Sequence, residues 1–256
     1  MSQRLGQHFL KNKEKIRKIA GSLDLERGDF VVEIGPGHGE LTEELRSKNH
    51  ELRIIAIEKD SMLVQELREK FHSAAHGPKL EIIEGDALKI LPELPINYKL
   101  VGNIPYYITG YLLRTIGELD SKPRLIVFTV QKEVAERICA EPPKMNLLAA
   151  SVQFWAEPEI IGYIPKKDFS PQPKVDSAII RLRIKNYESG IKEGYYKLVK
   201  VLFKQPRKTI LNNLADGLKI KKDYLTQRLG ELGISPLDRP QNLNVEKISE
   251  LAKKQF

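Results

Sequence analysis

Cysteine occurs once in the 256 residues, as Cys139. A disulfide framework needs pairs and a zinc site of the paired-cysteine kind needs several, so neither is expected, and no metal is assigned. Long apolar runs are missing as well: a bilayer span takes ~20 consecutive apolar residues, and the runs here stop after a handful. The first residues, Met-Ser-Gln-Arg-Leu-Gly-Gln-His-Phe-Leu, lack the continuous apolar stretch of a secretory leader. The expectation is a cytoplasmic protein with no membrane contact. What remains is the mix of a chain able to bury a core, 41% hydrophobic and 30% charged.

The net charge of +8 is unevenly placed. Residues 1–20 carry +5, residues 21–184 carry −4 and residues 185–256 carry +7. A charge of this size serves solubility in many domains. Its concentration at both ends points further, toward a polyanion, with nucleic acid the first candidate.

From residue 30 onward, short β-branched runs alternate with helical patterns, the rhythm of a parallel sheet covered by helices. Phe30–Ile34, Arg53–Ile57, Leu80–Ile83, Lys99–Gly102 and Leu125–Val130 read as strands. Helices are expected from Glu40, behind a Ser61 cap, from Gln131 to Cys139, and from Asn146 to Phe154. Two later strands, around Glu159–Ile164 and Val175–Ile184, flank a proline-rich stretch and read as a hairpin-type pair appended to the sheet. After Ile184 the strand signal stops; Lys185–Gly190 reads as a linker and the rest as short helices, one behind an Asn244 cap. The expectation is an α/β chain: a sheet-bearing domain over residues 1–184, opened by the basic segment 1–20, and a small helical domain over 185–256.

Gly35-Pro36-Gly37-His38-Gly39 lies between the first of these strands and its helix, where backbone N–H groups face a ligand and glycine permits close approach. Glu58 ends the next strand, where a carboxylate can accept from both hydroxyls of a ribose. Asp86, after the third strand, can accept from an adenine amino group. A dinucleotide, and with it a nicotinamide-dependent oxidoreductase, would favour Gly-x-Gly-x-x-Gly with a pyrophosphate over the helix. Here Glu33 precedes the loop, and an acid there disfavours phosphate. It suits a nucleoside bearing a cationic amino acid, and S-adenosylmethionine is such a ligand.

Asn103-Ile104-Pro105-Tyr106 leaves the fourth strand at the carboxyl edge of the sheet, where open α/β sheets bind ligands. Adenine N6 is a poor nucleophile because its lone pair is delocalised into the ring. The Asn103 amide carbonyl and the Ile104 backbone carbonyl can accept its two hydrogens and favour a tetrahedral nitrogen. Pro105 stiffens the turn, Tyr106 can stack on the base, and Phe169 can close its other face. The gain is positioning and electrostatic preorganisation rather than strong base catalysis.

Together these strings resemble the class I S-adenosylmethionine methyltransferases, and within them the ribosomal RNA adenine N6,N6-dimethyltransferase family. Gly6-Gln7-His8-Phe9-Leu10 resembles its opening motif, Val32–Gly37 its donor loop, and Asn103–Tyr106 its acceptor motif. Val130–Ala135 and Phe169-Ser170-Pro171-Gln172-Pro173-Lys174-Val175-Asp176-Ser177-Ala178 are the most family-specific strings. The resemblance covers almost the whole chain and implies a Rossmann-like seven-stranded methyltransferase sheet with a small C-terminal helical domain. It implies that His8 and Leu10 contact the donor through their backbone, together with Gly35, Gly37, Glu58, Asp86 and Asn103. The family often has Asn where this chain has His8, and Glu141–Leu148 departs from the family pattern.

The resemblance is strongest to the bacterial small-subunit branch. That branch implies dimethylation of two adjacent adenosines in the 3′-terminal hairpin loop of 16S rRNA, yielding S-adenosylhomocysteine. The implied partner is 16S rRNA or an immature small subunit, met by a monomer. RNA-facing charge would come from Arg4, Lys11, Lys13, Lys15, Arg17 and Lys18 at one end. At the other it would come from Lys204, Arg207, Lys208, Lys219, Lys221 and Lys222. The alternatives are the large-subunit branch that methylates 23S rRNA and confers macrolide resistance, and an assembly factor acting mainly by binding RNA.

Overall fold

A computed structural model describes residues 7–48, 51–72, 78–95, 97–187 and 189–254. Its elements begin with β1 (Phe9–Leu10), α1 (Lys13–Gly21), β2 (Phe30–Ile34), α2 (Glu40–Lys48), β3 (Arg53–Glu58) and α3 (Ser61–His72). They continue with β4 (Lys79–Glu84), α4 (Ala87–Ile90), β5 (Lys99–Asn103), α5 (Thr109–Glu118), β6 (Leu125–Gln131), α6 (Lys132–Ile138) and α7 (Leu147–Gln153). The chain closes with β7 (Ala156–Ile164), β8 (Phe169–Ser170), β9 (Ser177–Ile184), α8 (Lys192–Leu202), α9 (Ile210–Leu218), α10 (Lys222–Glu231) and α11 (Val245–Lys253).

Seven strands form one sheet in the order β4-β3-β2-β5-β6-β9-β7. The pairs from β4 to β6 are parallel, and β9 runs antiparallel to β6 with Thr129 opposite Ile179. The central strands are apolar on both faces: Val31, Val32, Ile54, Leu100, Val101, Ile126 and Val127 are buried. Burial of both faces is the signature of a parallel sheet covered by helices. The strand order reverses between β2 and β5, which opens a crevice at the carboxyl ends of those two strands. Gly102 faces Ile34 across that pair, and a Cβ there would stand 2.5 Å from the Ile34 carbonyl oxygen. No side chain fits at this register.

The appended strand pair joins the sheet as expected, with β9 lying between β6 and β7. The expected cap at Ser61 is displaced by one residue. The Asp60 carboxylate accepts from the Met62 N–H at 3.0 Å, and Ser61 is already the first helical residue. An aspartate at this position offers a stronger, charged acceptor to the exposed N–H groups.

The chain divides into two compact units, residues up to Ala135 with Glu157–Ile184, and Glu136–Ala156 with Lys185 onward. The change of unit after Ile184 is where the strand signal ends. Residues 136–156, grouped above with the sheet, associate instead with the C-terminal helices. The reason is aromatic packing: Phe154 stacks on Tyr195 at 4.1 Å, and the Tyr195 hydroxyl donates to the Ala150 carbonyl at 2.9 Å. Within this unit α8 buries Tyr195, Leu198, Val199 and Leu202 at helical spacing. α11 buries Val245, Ile248 and Leu251 behind the Asn244 cap, whose side chain accepts from the Lys247 N–H.

At the amino-terminal edge of the sheet, Lys99 and Asp29 form a buried ion pair at 2.7 Å, their side chains 7% and 6% exposed. Arg124 bonds the second carboxylate oxygen, and the Glu26 N–H also donates to Asp29. Burial works against ionisation of Asp29, but Lys99, the Glu26 N–H and Arg124 hold its carboxyl below the usual range. Asp29→Ala is expected to lower unfolding free energy by about 3–5 kcal/mol, because it leaves the Lys99 ammonium buried and unpaired. The double change Asp29→Leu with Lys99→Met is expected to recover most of the loss. Urea unfolding of the three proteins checks both, and equal losses in single and double variants would refute the explanation.

Candidate functional site

The β2–β5 crevice becomes a cleft because three loops wall it. The first is the glycine loop after β2, in which Gly35, Gly37 and Gly39 all have positive φ, at 66°, 60° and 83°. Such angles strain any residue with a Cβ. At Gly37 the requirement is doubled, since a Cβ would lie 2.8 Å from the Phe9 ring. The second wall is the Asn103–Tyr106 turn after β5. The third is a two-stranded clip in which β1 pairs with β8, Phe9 opposite Ser170 and Leu10 opposite Phe169. The Lys11 N–H extends the clip by donating to the Asp168 carbonyl at 2.9 Å, and the Asn12 amide donates to the Asp168 carboxylate.

Together the three walls enclose a small, partly open cleft. His8, Gly35, Gly37, Glu58, Asn103, Ile104, Pro105, Tyr106 and Phe169 all line it. Leu10 does not; it is buried and borders an adjoining pocket with Glu33. Asp86 also lies off the cleft wall. Its carboxylate caps α4 by accepting from the Leu88 N–H and pairs with Lys59 at 2.9 Å. Gln7 and Phe9 line the cleft without having been assigned a role from sequence, although both lie within the opening motif.

Among the described residues the Asn103 side chain makes one hydrogen bond, from its nitrogen to the His8 carbonyl at 2.7 Å. A carbonyl only accepts, so the NH2 group must face His8, and Oδ1 is the atom left over. The His8 imidazole is fixed by Nδ1–H donating to the Pro171 carbonyl at 2.7 Å, which assigns its tautomer by the same logic. His8 thus ties the acceptor turn to the proline-rich loop. Ile104 is pinned from below, its N–H donating to the Thr129 carbonyl at 3.1 Å. Tyr106 is anchored through its hydroxyl to Ser177 at 2.8 Å. Burial raises the Tyr106 pKa above the ordinary phenol value, with the Ser177 bond opposing, so the phenol stays neutral. Ser177 lies 71 residues away and was not legible as a site residue.

The carboxylates define the electrostatics. Glu58 is 5% exposed and accepts from the N–H groups of Lys59, Asp60 and Gly37. The Gly37 bond is the longest of these, at 3.2 Å, and is the only one on Oε2. Glu33 is 1% exposed behind the glycine loop and accepts from the Thr42 hydroxyl at 2.6 Å. Burial pushes its carboxyl up to about 7; the Thr42 bond opposes this, and the charges of Glu58 and Glu40 add to it. No lysine or arginine lines the cleft among the described residues. A pyrophosphate would find no cation there, whereas a ligand with a ribose and a positive charge finds the Glu58 carboxylate and backbone groups. The residues therefore fit S-adenosylmethionine better than a dinucleotide.

The cleft has relatives. A family model described as ribosomal RNA adenine dimethylase matches residues 1–254. The chain belongs to the ribosomal RNA adenine dimethylase family. It is 41% identical over 256 residues to the ribosomal RNA small subunit methyltransferase A of Dehalococcoides mccartyi strain CBDB1, covering 96% of this chain and 86% of that protein. The protein of the same name from Halothermothrix orenii is 35% identical, covering 97% and 86%. Among solved structures, a dimethyladenosine transferase from Plasmodium falciparum superposes with a TM-score of 0.80 at 26% identity, covering 95% and 96%. The 23S rRNA methyltransferase ErmE superposes with a TM-score of 0.77 at 28% identity, covering 96% and 98%. Membership makes this chain an enzyme of the rRNA adenine dimethyltransferase type.

The basic residues divide by exposure. Lys11, Lys13, Arg17 and Lys18 are exposed and Lys15 is half-buried, while Arg4 lies outside the described residues. Lys204, Arg207, Lys208, Lys219, Lys221 and Lys222 are all exposed. Arg17 and Lys208 carry ion pairs, to Glu44 at 3.9 Å and Asp216 at 2.9 Å.

The raised Glu33 pKa makes stability depend on pH. Folded Glu33 keeps its proton to about 7 while the unfolded residue loses it near 4.5, so the folded state binds more protons across that window and stability falls as pH rises through it. Glu33→Gln removes this term, and at pH 8 it is expected to be the more stable protein by up to about 3 kcal/mol. At pH 4 the two should match. Thermal unfolding across this range checks the sign; a gain at pH 4 as large as that at pH 8 would exclude the linkage.

Proposed function

We propose that this enzyme transfers methyl groups from S-adenosylmethionine to N6 of two adjacent adenosines in the 3′-terminal hairpin loop of 16S rRNA. The observation that carries the reading is the acceptor turn: an Asn103 whose Oδ1 is left to the cleft, on a turn pinned below by Thr129 and tied to His8. The small-subunit relatives favour this branch over the 23S one, as their identity of 35–41% stands against 28% for ErmE. The unmutilated acceptor motif also argues against a protein that only binds RNA. The protein is proposed to act in the cytoplasm as a monomer on the immature small subunit.

S-adenosylmethionine, when bound, supplies a methyl group on a cationic sulfur. Glu58 would accept from its ribose hydroxyls, and Asp86 from its adenine once the Lys59 pair yields. The glycine loop, His8 and Leu10 would present backbone groups to the amino-acid part. Asn103 Oδ1 and the Ile104 carbonyl would each accept one hydrogen of the target N6, turning its lone pair toward the donor. Tyr106 and Phe169 would hold the base on either face, replacing the stacking lost when it leaves the RNA. As the S–CH3 bond gave way to the new N–CH3 bond, the sulfur would be left as a neutral thioether and N6 would become cationic; the two carbonyls would stabilise that charge until the proton left to solvent. The exposed basic residues of the two chain ends would grip phosphates, so affinity for RNA should fall steeply with salt.

Asn103→Ala is expected to abolish methyl transfer to unmethylated small subunits while donor binding, read by calorimetry, persists. Full transfer by that variant would remove the acceptor role. Glu58→Ala is expected to weaken donor binding by about 1.5–3 kcal/mol, the scale of hydrogen bonds to a charged group. An unchanged donor affinity would take Glu58 out of the pocket.

A further inference from the structure

The turn that carries the acceptor residues runs straight into α5, and one face of that helix is left uncovered. Tyr107 and Tyr111 are 64% and 60% exposed. Gly110 and Arg114 are exposed beside them. Tyr107, Tyr111 and Arg114 follow at helical spacings of four and three, since the 3-10 turn Tyr106–Ile108 continues into α5 without a break. The opposite face buries Thr109, Leu112, Leu113 and Ile116, which fixes the direction of the exposed row.

Gly110 is the second anomaly. A Cβ built on it meets nothing within 4 Å, and its φ is not in the left-handed region. Neither packing nor backbone geometry calls for glycine, and glycine weakens a helix relative to alanine. What its absence of side chain does provide is bare backbone between two exposed rings. Tyrosines separated by open backbone, with a guanidinium next along the face, have the composition of a stacking surface for unpaired bases.

We propose that this face of α5 is a binding subsite for the unpaired nucleotides that adjoin the target adenosine. The proposal rests on the acceptor reading of Asn103–Tyr106. When one of two neighbouring adenosines enters the cleft, the other loses its stacking partner, and protein rings next to the cleft replace it. A protein partner is less well served here. Apart from the two rings the face consists of Gly110, Arg114 and Glu118, the last two paired at 2.8 Å, which leaves little apolar area to bury. The subsite is also distinct in kind from the basic chain ends, because stacking carries little of the salt dependence of phosphate contacts.

The test uses the full chain and a synthetic RNA hairpin with two adjacent loop adenosines, one replaced by 2-aminopurine, whose fluorescence reports stacking. Tyr107→Ala and Tyr111→Ala are expected to weaken hairpin binding about 5- to 100-fold each, with the slope against log salt and the donor affinity unchanged. Tyr111→Phe, which keeps the ring, should restore binding. Gly110→Leu should weaken it as well, without lowering the melting temperature, an outcome that a purely structural role for glycine would not give. Alanine variants that bind the hairpin like the parent overturn the proposal; if they nevertheless lose affinity for whole subunits, the face serves a protein instead. A parent protein that methylates neither hairpin nor subunits brings down the acceptor reading and the subsite with it.

Discussion

The pairing of β2 with β5, and within it the close approach of Gly102 to Ile34, is the constraint on which the site depends. Strand order reverses at this pair, so the loops leaving the two strands diverge and a crevice opens between them. The glycine loop continues from Ile34, and the acceptor turn begins at Asn103, one residue after Gly102. Any side chain at residue 102 would meet a backbone carbonyl at 2.5 Å and force the strands apart. The donor-side and acceptor-side groups are thus held in register by the sheet itself rather than by the loops that bear them.

The clip formed by β1 and β8 completes what the sheet begins. It is short, yet it joins the opening motif to the proline-rich loop, and through His8 it reaches Asn103. Each of these bonds consumes a polar group that would otherwise compete for the cleft. The result is an amide whose nitrogen is engaged and whose oxygen, among the described residues, is not. Preorganisation of this kind is the main resource of a reaction that needs a poor nucleophile positioned rather than a strong base. The electrostatics agree: Glu58 faces a cleft with no lining lysine or arginine among the described residues, a setting that favours positive charge in the ligand.

Much of this was legible in the sequence, for identifiable reasons. The strands announced themselves because parallel strands buried on both faces must be runs of Val, Ile and Leu. The glycine loop, Glu58 and Asn103–Tyr106 were legible because each sits at a strand end, where position along the chain fixes position on the sheet edge. Asp86 was less transparent. A carboxylate after a strand is equally a helix cap, and here it caps α4 while pairing with Lys59. The cap at Asp60 and the allegiance of residues 136–156 are not legible in the sequence because both turn on neighbours: one on which of two adjacent polar side chains faces the free N–H groups, the other on aromatic contacts with Tyr195.

The sequence by itself determined the sheet, the order of its strands' motifs, the chemical character of the cleft and the family. These follow from local patterns, since periodicity and strand-end residues carry their meaning within a few positions. Only the tertiary structure decided which way the Asn103 amide points, that Ser177 anchors Tyr106, that Glu33 is buried enough to hold its proton near neutrality, and that Tyr107, Gly110 and Tyr111 form an uncovered face. Each of those depends on burial or on a partner far away in the chain, 95 residues for Asn103 and His8, 71 for Tyr106 and Ser177. Hydrogen bonds and desolvation act through space, and a linear pattern does not encode which distant group will arrive.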